Sequence, residues 1–226
     1  YSSEPFKHWL HEHLEARNTE TFESQLPENQ SSSPWYQRKE LKVVVSDLSR
    51  QAMAVLPDNL DRDYQLSKES FSIAEAVRLS MSIPFFFEPG NLGGSVIVDG
   101  GILSNFPLWI FDTGEQEAPR CPTFGFQLKD EESHPINGAI EMLVAMLRTM
   151  QVARDRHHVE THNQDRVLEI DAKAVSTTQF NLTNEDKKVL YAEGYKAAKE
   201  FLLTQWSWRE HHRHRGFSVG TGKSNS

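Results

Sequence analysis

A single cysteine, Cys121, stands in the 226 residues, so no intramolecular disulfide framework can form, and a reducing, cytoplasmic setting fits best. Basic excess is also missing. Lys and Arg number 24 against 32 Asp and Glu, a net charge of −8, which argues against nucleic acid as a partner because phosphate binding needs a basic face. Any attraction to a membrane surface would have to be apolar rather than charge-driven. No apolar run approaches the roughly 18 residues that span a bilayer. Tyr1-Ser-Ser-Glu-Pro-Phe6 has neither the basic nor the apolar region of a signal peptide, and reads as an internal starting point. There is no cysteine cluster and no His-Glu-x-x-His motif. No metal or organic cofactor is indicated by the sequence, and calcium dependence is not expected.

Two formal motif matches also fail on context. Gly216-Phe-Ser218-Val-Gly220 fits G-x-S-x-G, but a charged His/Arg run precedes it where a nucleophile elbow needs a buried strand. Gly220-Thr-Gly-Lys223-Ser224 resembles the end of a phosphate-binding loop, with the wrong glycine spacing and no strand before it. His158 and His162 are four apart and read as a solvated helix face, as do His11, His13, His211, His212 and His214. Cys121 reads as a packing residue.

What is present is an interleaved pattern. Phe6, Trp9, Leu10 and Leu14 recur at helical spacing. Residues 19–37 are polar and read as a surface excursion. Leu41–Asp47 and Ala52–Leu56 read as a hairpin across a short linker, in which Asp47 reads as a turn former, with polar site lining as the alternative. Ser72-Ile-Ala-Glu75 is a capping box opening a helix, and Pro84 ends it by disfavouring helical geometry at Ile83. Ser95–Val98, Pro122–Leu128 and Val167–Ile170 read as strands. Ile140, Leu143, Val144 and Leu147 mark a helix, and Thr183-Asn-Glu-Asp186 caps a last one. This interleaving predicts a layered α/β domain with a largely parallel sheet. Residues 207–226 read as a disordered tail.

The most informative stretch is Ser95-Val-Ile-Val-Asp99-Gly100-Gly101-Ile-Leu-Ser-Asn105-Phe-Pro107. An apolar run ends in an aspartate followed at once by two glycines, which tolerate backbone angles and close approaches that other residues do not. A carboxylate at the tip of a buried strand can face a cleft and serve as a base. On its own, Asp-Gly-Gly is more often a turn.

Together with Ser72-Ile-Ala-Glu-Ala-Val-Arg-Leu-Ser80-Met-Ser82-Ile-Pro84-Phe-Phe-Phe-Glu-Pro89, this stretch resembles the second half of a bacterial patatin-like phospholipase domain. Thr177-Thr-Gln-Phe180-Asn-Leu182 and the helix through Gly194 resemble its last part, so that the likeness covers residues 1–206. The resemblance implies a three-layer α/β/α domain with a mostly parallel central sheet, present here in part. It also implies a Ser–Asp dyad without a catalytic histidine. Of the family's three signatures, the glycine-rich oxyanion loop and the G-x-S-x-G elbow would lie upstream of Tyr1. The third, D-G-[GA], is Asp99-Gly100-Gly101. Asp99 would then be the dyad base, with Met81, Ile83, Pro84, Phe85, Phe86, Asn105 and Pro107 lining an acyl pocket. For the Phe85–Phe87 run, plain core is the competing reading.

The implied activity is hydrolysis of a lipid ester with a serine supplied upstream, so that residues 1–226 alone are expected to be inactive and poorly stable. The implied partners are a lipid substrate and a transient membrane surface, and the implied location is cytoplasmic, peripheral to the membrane. The rival is a non-catalytic lipid-binding or scaffolding domain of the same fold.

Overall fold

A computed structural model describes residues 1–26, 40–104, 106–112, 118–129, 136–139, 141–147, 149–150, 164–171 and 181–217. The chain divides into two compact units, Tyr1–Asn105 and Phe106–Ser226.

In the first unit, helix α1 (Glu4–Glu15) is followed by strands β1 (Val43–Asp47) and β2 (Ala52–Leu56). A π-helical turn (Leu60–Tyr64) leads to α2 (Ile73–Ser80), β3 (Gly90–Leu92), β4 (Ser95–Asp99) and the one-turn helix α3 (Gly101–Ser104). The sheet order is β2-β1-β4-β3, and every neighbouring pair is antiparallel. The α/β class holds, whereas the expectation of a mostly parallel central sheet does not. For β1–β2 and β3–β4 the physical reason is the connection: short turns at 48–51 and 93–94 reverse the chain at once, and a tight turn can join only antiparallel strands. Gly93 and Gly94 both have positive φ (54° and 89°), the backbone a two-residue hairpin turn requires.

Burial follows the two periodicities. Val43, Val45, Ala54, Leu56 and Ile97 from the sheet meet Ile73, Ala76 and Leu79 of α2 in one core. Phe22, Leu60 and Tyr64 join it, from segments where no hydrophobic period is visible in the sequence. The 19–37 excursion is therefore anchored at its start, where Thr21 also bridges to Ser72; residues 27–39 lie outside the described residues.

In the second unit a 3-10 turn (Leu108–Phe111) precedes β5 (Gly125–Lys129), and a second 3-10 turn (Gln164–Arg166) precedes β6 (Val167–Asp171). These two strands are parallel, and residues 141–147 between them are helical. Helices α4 (Asn184–Glu200) and α5 (Trp208–His214) follow, joined by a π-helical turn. Thr183 and Asp186 close a reciprocal capping box at the start of α4. Residues 208–214 of the expected tail form helix α5, on which His211 is buried with its Nδ1 3.0 Å from the Asp165 carboxylate, against its reading as solvated, while Arg213 and His214 are exposed. Cys121 is exposed, against the packing reading. His158, His162, Thr177–Phe180 and Ser218–Ser226 lie outside the described residues.

Candidate active site

Asp99 is the last residue of β4, opposite Val45 of β1. The two N–H groups at this point leave the ladder. Asp99 N donates to the Ser82 carbonyl (3.0 Å) and Gly100 N to the Ser80 carbonyl (3.4 Å). Both acceptors lie at the C-terminal end of α2, where helical carbonyls lack an intrahelical partner. Strand end and helix end thus satisfy each other.

Gly100 is required here by space. A Cβ at this position would lie 2.2 Å from the Val44 carbonyl oxygen, a backbone atom that cannot swing aside. Gly101 then starts α3, and its N–H donates to Asp99 Oδ1 at 2.7 Å. A one-turn helix, rather than an open loop, takes over the chain after the aspartate. Burial pushes the Asp99 carboxyl above its usual range, and the Gly101 N–H opposes this only in part. A carboxylate held in that state is a better proton acceptor than an exposed one, the property a general base needs.

The segment just before it carries apolar side chains outward. Ser82 is fully buried, its Oγ donating to the Arg78 carbonyl at 2.8 Å. Met81, Pro84 and Phe86 are half-buried, while Ile83 and Phe85 are 46% and 60% exposed. Phe85 has a positive φ of 68°, a backbone that bulky residues rarely adopt. None of Met81, Ile83, Pro84, Phe85, Phe86 or Phe87 is core, so the plain-core reading of this run does not hold. Asn105 lies outside the described residues, and Pro107 belongs to the second unit, where it precedes the 3-10 turn.

A polar network outside the aspartate loop escaped the sequence reading. Ser72 caps α2 by accepting from Glu75 N, but the Glu75 carboxylate does not reach back. It pairs instead with Arg78 (2.5 Å) and Lys7 (3.0 Å), tying α1 to α2. Asp47, fully buried, accepts from Arg50 N (2.9 Å) and from the Tyr64 hydroxyl (3.0 Å), which agrees with its reading as a turn residue. Among the described residues no group of three or more His, Cys, Asp or Glu side chains is arranged to hold a metal ion, and no helix is long and apolar enough to cross a membrane.

Residues 1–112 match the family model described as patatin-like phospholipase. An uncharacterized protein of Bacillus subtilis strain 168, YqhO, is 32% identical over 212 residues, 92% of this chain and 68% of the relative. An uncharacterized protein of Acanthamoeba polyphaga mimivirus is 26% identical, over 73% of this chain and 55% of its own length. Among solved structures, VipD from Legionella pneumophila is similar at 22% identity and a TM-score of 0.44, over 73% of this chain and 31% of that one. The chain therefore spans about two thirds, a little over half and under a third of these three proteins. The Asp99 loop and the α2 helix end lie inside the matched residues, and the chain belongs to the patatin-like phospholipase family.

Proposed function

We propose that this chain carries the base of a lipid acyl hydrolase, with Asp99 acting on a serine supplied by residues upstream of Tyr1. The observation that carries the reading is the environment of Asp99. It is a part-buried carboxylate with raised proton affinity, fixed at a strand tip by an obligatory glycine. Membership of a family of phospholipases supports hydrolase chemistry on a lipid.

In the proposed reaction Asp99 takes the serine hydroxyl proton as the serine oxygen attacks the ester carbonyl. Backbone N–H donors, also upstream, hold the tetrahedral oxyanion. Collapse expels the alcohol, which takes the proton back from Asp99. Water then attacks the acyl-serine as Asp99 accepts its proton, and when the acyl–oxygen bond breaks that proton passes to the serine oxygen, releasing the fatty acid and restoring the Asp99 carboxylate. Gly100 and Gly101 keep side chains out of the approach to the carboxylate. Met81, Ile83, Pro84, Phe85 and Phe86 line the path of the acyl chain. The exposed Ile83 and Phe85 suit transient contact with a lipid surface from the cytoplasmic side.

The test is Asp99→Asn in a chain extended upstream to include a G-x-S-x-G serine, assayed on phosphatidylcholine vesicles and on a fatty-acid p-nitrophenyl ester. Loss of about 10²–10⁴-fold in turnover with an unchanged unfolding transition is expected. Turnover near the parent value would remove Asp99 from the mechanism. Absence of any such serine upstream would favour the non-catalytic lipid-binding domain.

A further inference from the structure

Strand β4 departs from the sheet at a single rung. Its register with β1 pairs Asp47 with Ile97, Ser46 with Val98 and Val45 with Asp99, and ends there. The next rung would set Gly100 against Val44. Gly100 instead turns toward α3, with its Cα pressed close to the Val44 carbonyl. That carbonyl faces the strand that has just left it and needs another donor, since a part-buried backbone acceptor without one is costly.

Ser80 supplies the donor. Its Oγ donates to the Val44 carbonyl at 2.7 Å, while its own carbonyl accepts from Gly100 N at 3.4 Å. One residue at the end of α2 therefore holds both sides of the branch. Ser46, fully buried on β1, adds a second tie: its Oγ donates to the Gly100 carbonyl at 3.3 Å. That same carbonyl accepts from Leu103 N and Ser104 N, so the Ser46 bond reaches the first turn of α3. Both hydroxyls are spent on the backbone at Gly100 and its neighbour across the branch.

We propose that Ser80, supported by Ser46, is a positioning residue that fixes the direction of the Asp99 carboxylate by clamping the branch between β1 and the aspartate loop. This rests on Asp99 as the base of the proposed hydrolase. Neither serine need touch substrate. Their effect runs through backbone position, and a shift of the order of 1 Å in a reacting group can cost about 10²-fold in rate. An alanine at position 80 would favour the helix, as the better helix former. The hydroxyl therefore serves the branch rather than α2.

The test reads the carboxylate directly. Asp side chains of the 226-residue chain are labelled with ¹³C and titrated by NMR, and the Asp99 signal is identified by its loss in Asp99→Asn. The causes of the Asp99 shift are burial and the Gly101 N–H alone, with no charged side chain of the described residues among them, so its midpoint reports how closed the loop is. In Ser80→Ala the midpoint is expected to fall by about half a pH unit or more toward the ordinary Asp range as water enters. Ser80→Thr, which keeps the hydroxyl, is expected to restore it.

In the upstream-extended chain Ser80→Ala is expected to lower kcat about tenfold, with KM within twofold. An Asp99 midpoint unchanged in Ser80→Ala, with only a lower melting temperature, would overturn the clamp and leave Ser80 a structural cap. Where Ser80→Ala does not fold, Ser46→Ala decides: the midpoint must fall there also, and a fixed midpoint overturns the proposal. Full turnover by Asp99→Asn would sink the hydrolase reading, while the titration would still decide the clamp.

Discussion

The two units bury their apolar residues to different extents. In Tyr1–Asn105 a four-stranded sheet and α2 enclose a core in which Val45, Leu56, Leu60, Leu79 and Ile97 are fully buried. In Phe106–Ser226 helix α4 has no buried residue, and the parallel pair β5–β6 leaves Phe126 and Leu128 more than half exposed. Parallel sheets are ordinarily covered on both faces, and two strands are few for independent stability. A smaller buried set, Leu108, Val167, Leu168 and Phe201, is joined in this unit by ion pairs and ring contacts: Arg166 with Asp112 (2.5 Å), Arg215 with Asp112 (2.7 Å), and Trp206 and Phe201 edge-on to Phe124. The family match ends at residue 112, close to the boundary between the units. What is diagnostic of the family thus coincides with the unit that has the larger buried core.

The sharpest way to break the contrast is to load the first unit where it has no room. Gly100→Ala forces a methyl group onto the Val44 carbonyl and is expected to destabilise by about 3 kcal/mol, read as a fall in the denaturant midpoint.

The second unit should respond most to charge. Burial raises the Asp112 carboxyl, but Arg166 and Arg215 outweigh it and hold the group below the usual carboxylate range. Asp165 is likewise held low, by His211 against burial. A depressed carboxyl stabilises the fold above its unfolded value, near pH 4, and that contribution is lost as pH falls through the folded value. Asp99 has the opposite sign: raised in the fold, it disfavours folding as pH rises from the unfolded value through the folded one. Asp112→Asn is therefore expected to destabilise by about 2 kcal/mol at pH 7 and to flatten the acid limb of a stability–pH curve. An unchanged acid limb would remove Asp112 as a support of this unit.

The smallest effect should have the reverse sign. Gly194, inside α4, would place a Cβ in open space, so Gly194→Ala is expected to raise stability by about 0.5–1 kcal/mol. A loss there would mean that this face of α4 is covered. The two glycine substitutions, measured side by side, compare a packed unit with an open one.

The aspartate loop was legible because its requirement is local: an apolar run, a carboxylate and glycine at the point of closest backbone approach. The β1–β2 hairpin and the caps at Ser72 and Thr183 were legible for the same reason. Strand direction was not, since β-branched runs look alike in parallel and antiparallel sheets, and only connection length separates them. Strand β3 is three residues long and shows no alternation, though the Gly93-Gly94 pair beside it is a hairpin signal. Phe22 and Tyr64 enter the core from segments without a period. The Glu75 carboxylate was misassigned because Arg78 and Lys7 compete for it, and a capping pattern carries no information on partners from other turns. His211 was hidden inside a run that reads as uniformly charged.

The bond from Gly101 N–H to Asp99 Oδ1 removes the twofold equivalence of the carboxylate. A free carboxylate offers two interchangeable oxygens and can receive a proton from either edge. Here Oδ1 is already engaged, at 2.7 Å, by a donor belonging to the same turn. Protonation on Oδ1 would weaken that bond, whereas protonation on Oδ2 would keep it. The proposed reaction therefore has a stereochemistry: the serine proton arrives at and departs from Oδ2, and Gly101, two residues beyond the aspartate, selects the edge of the base that works.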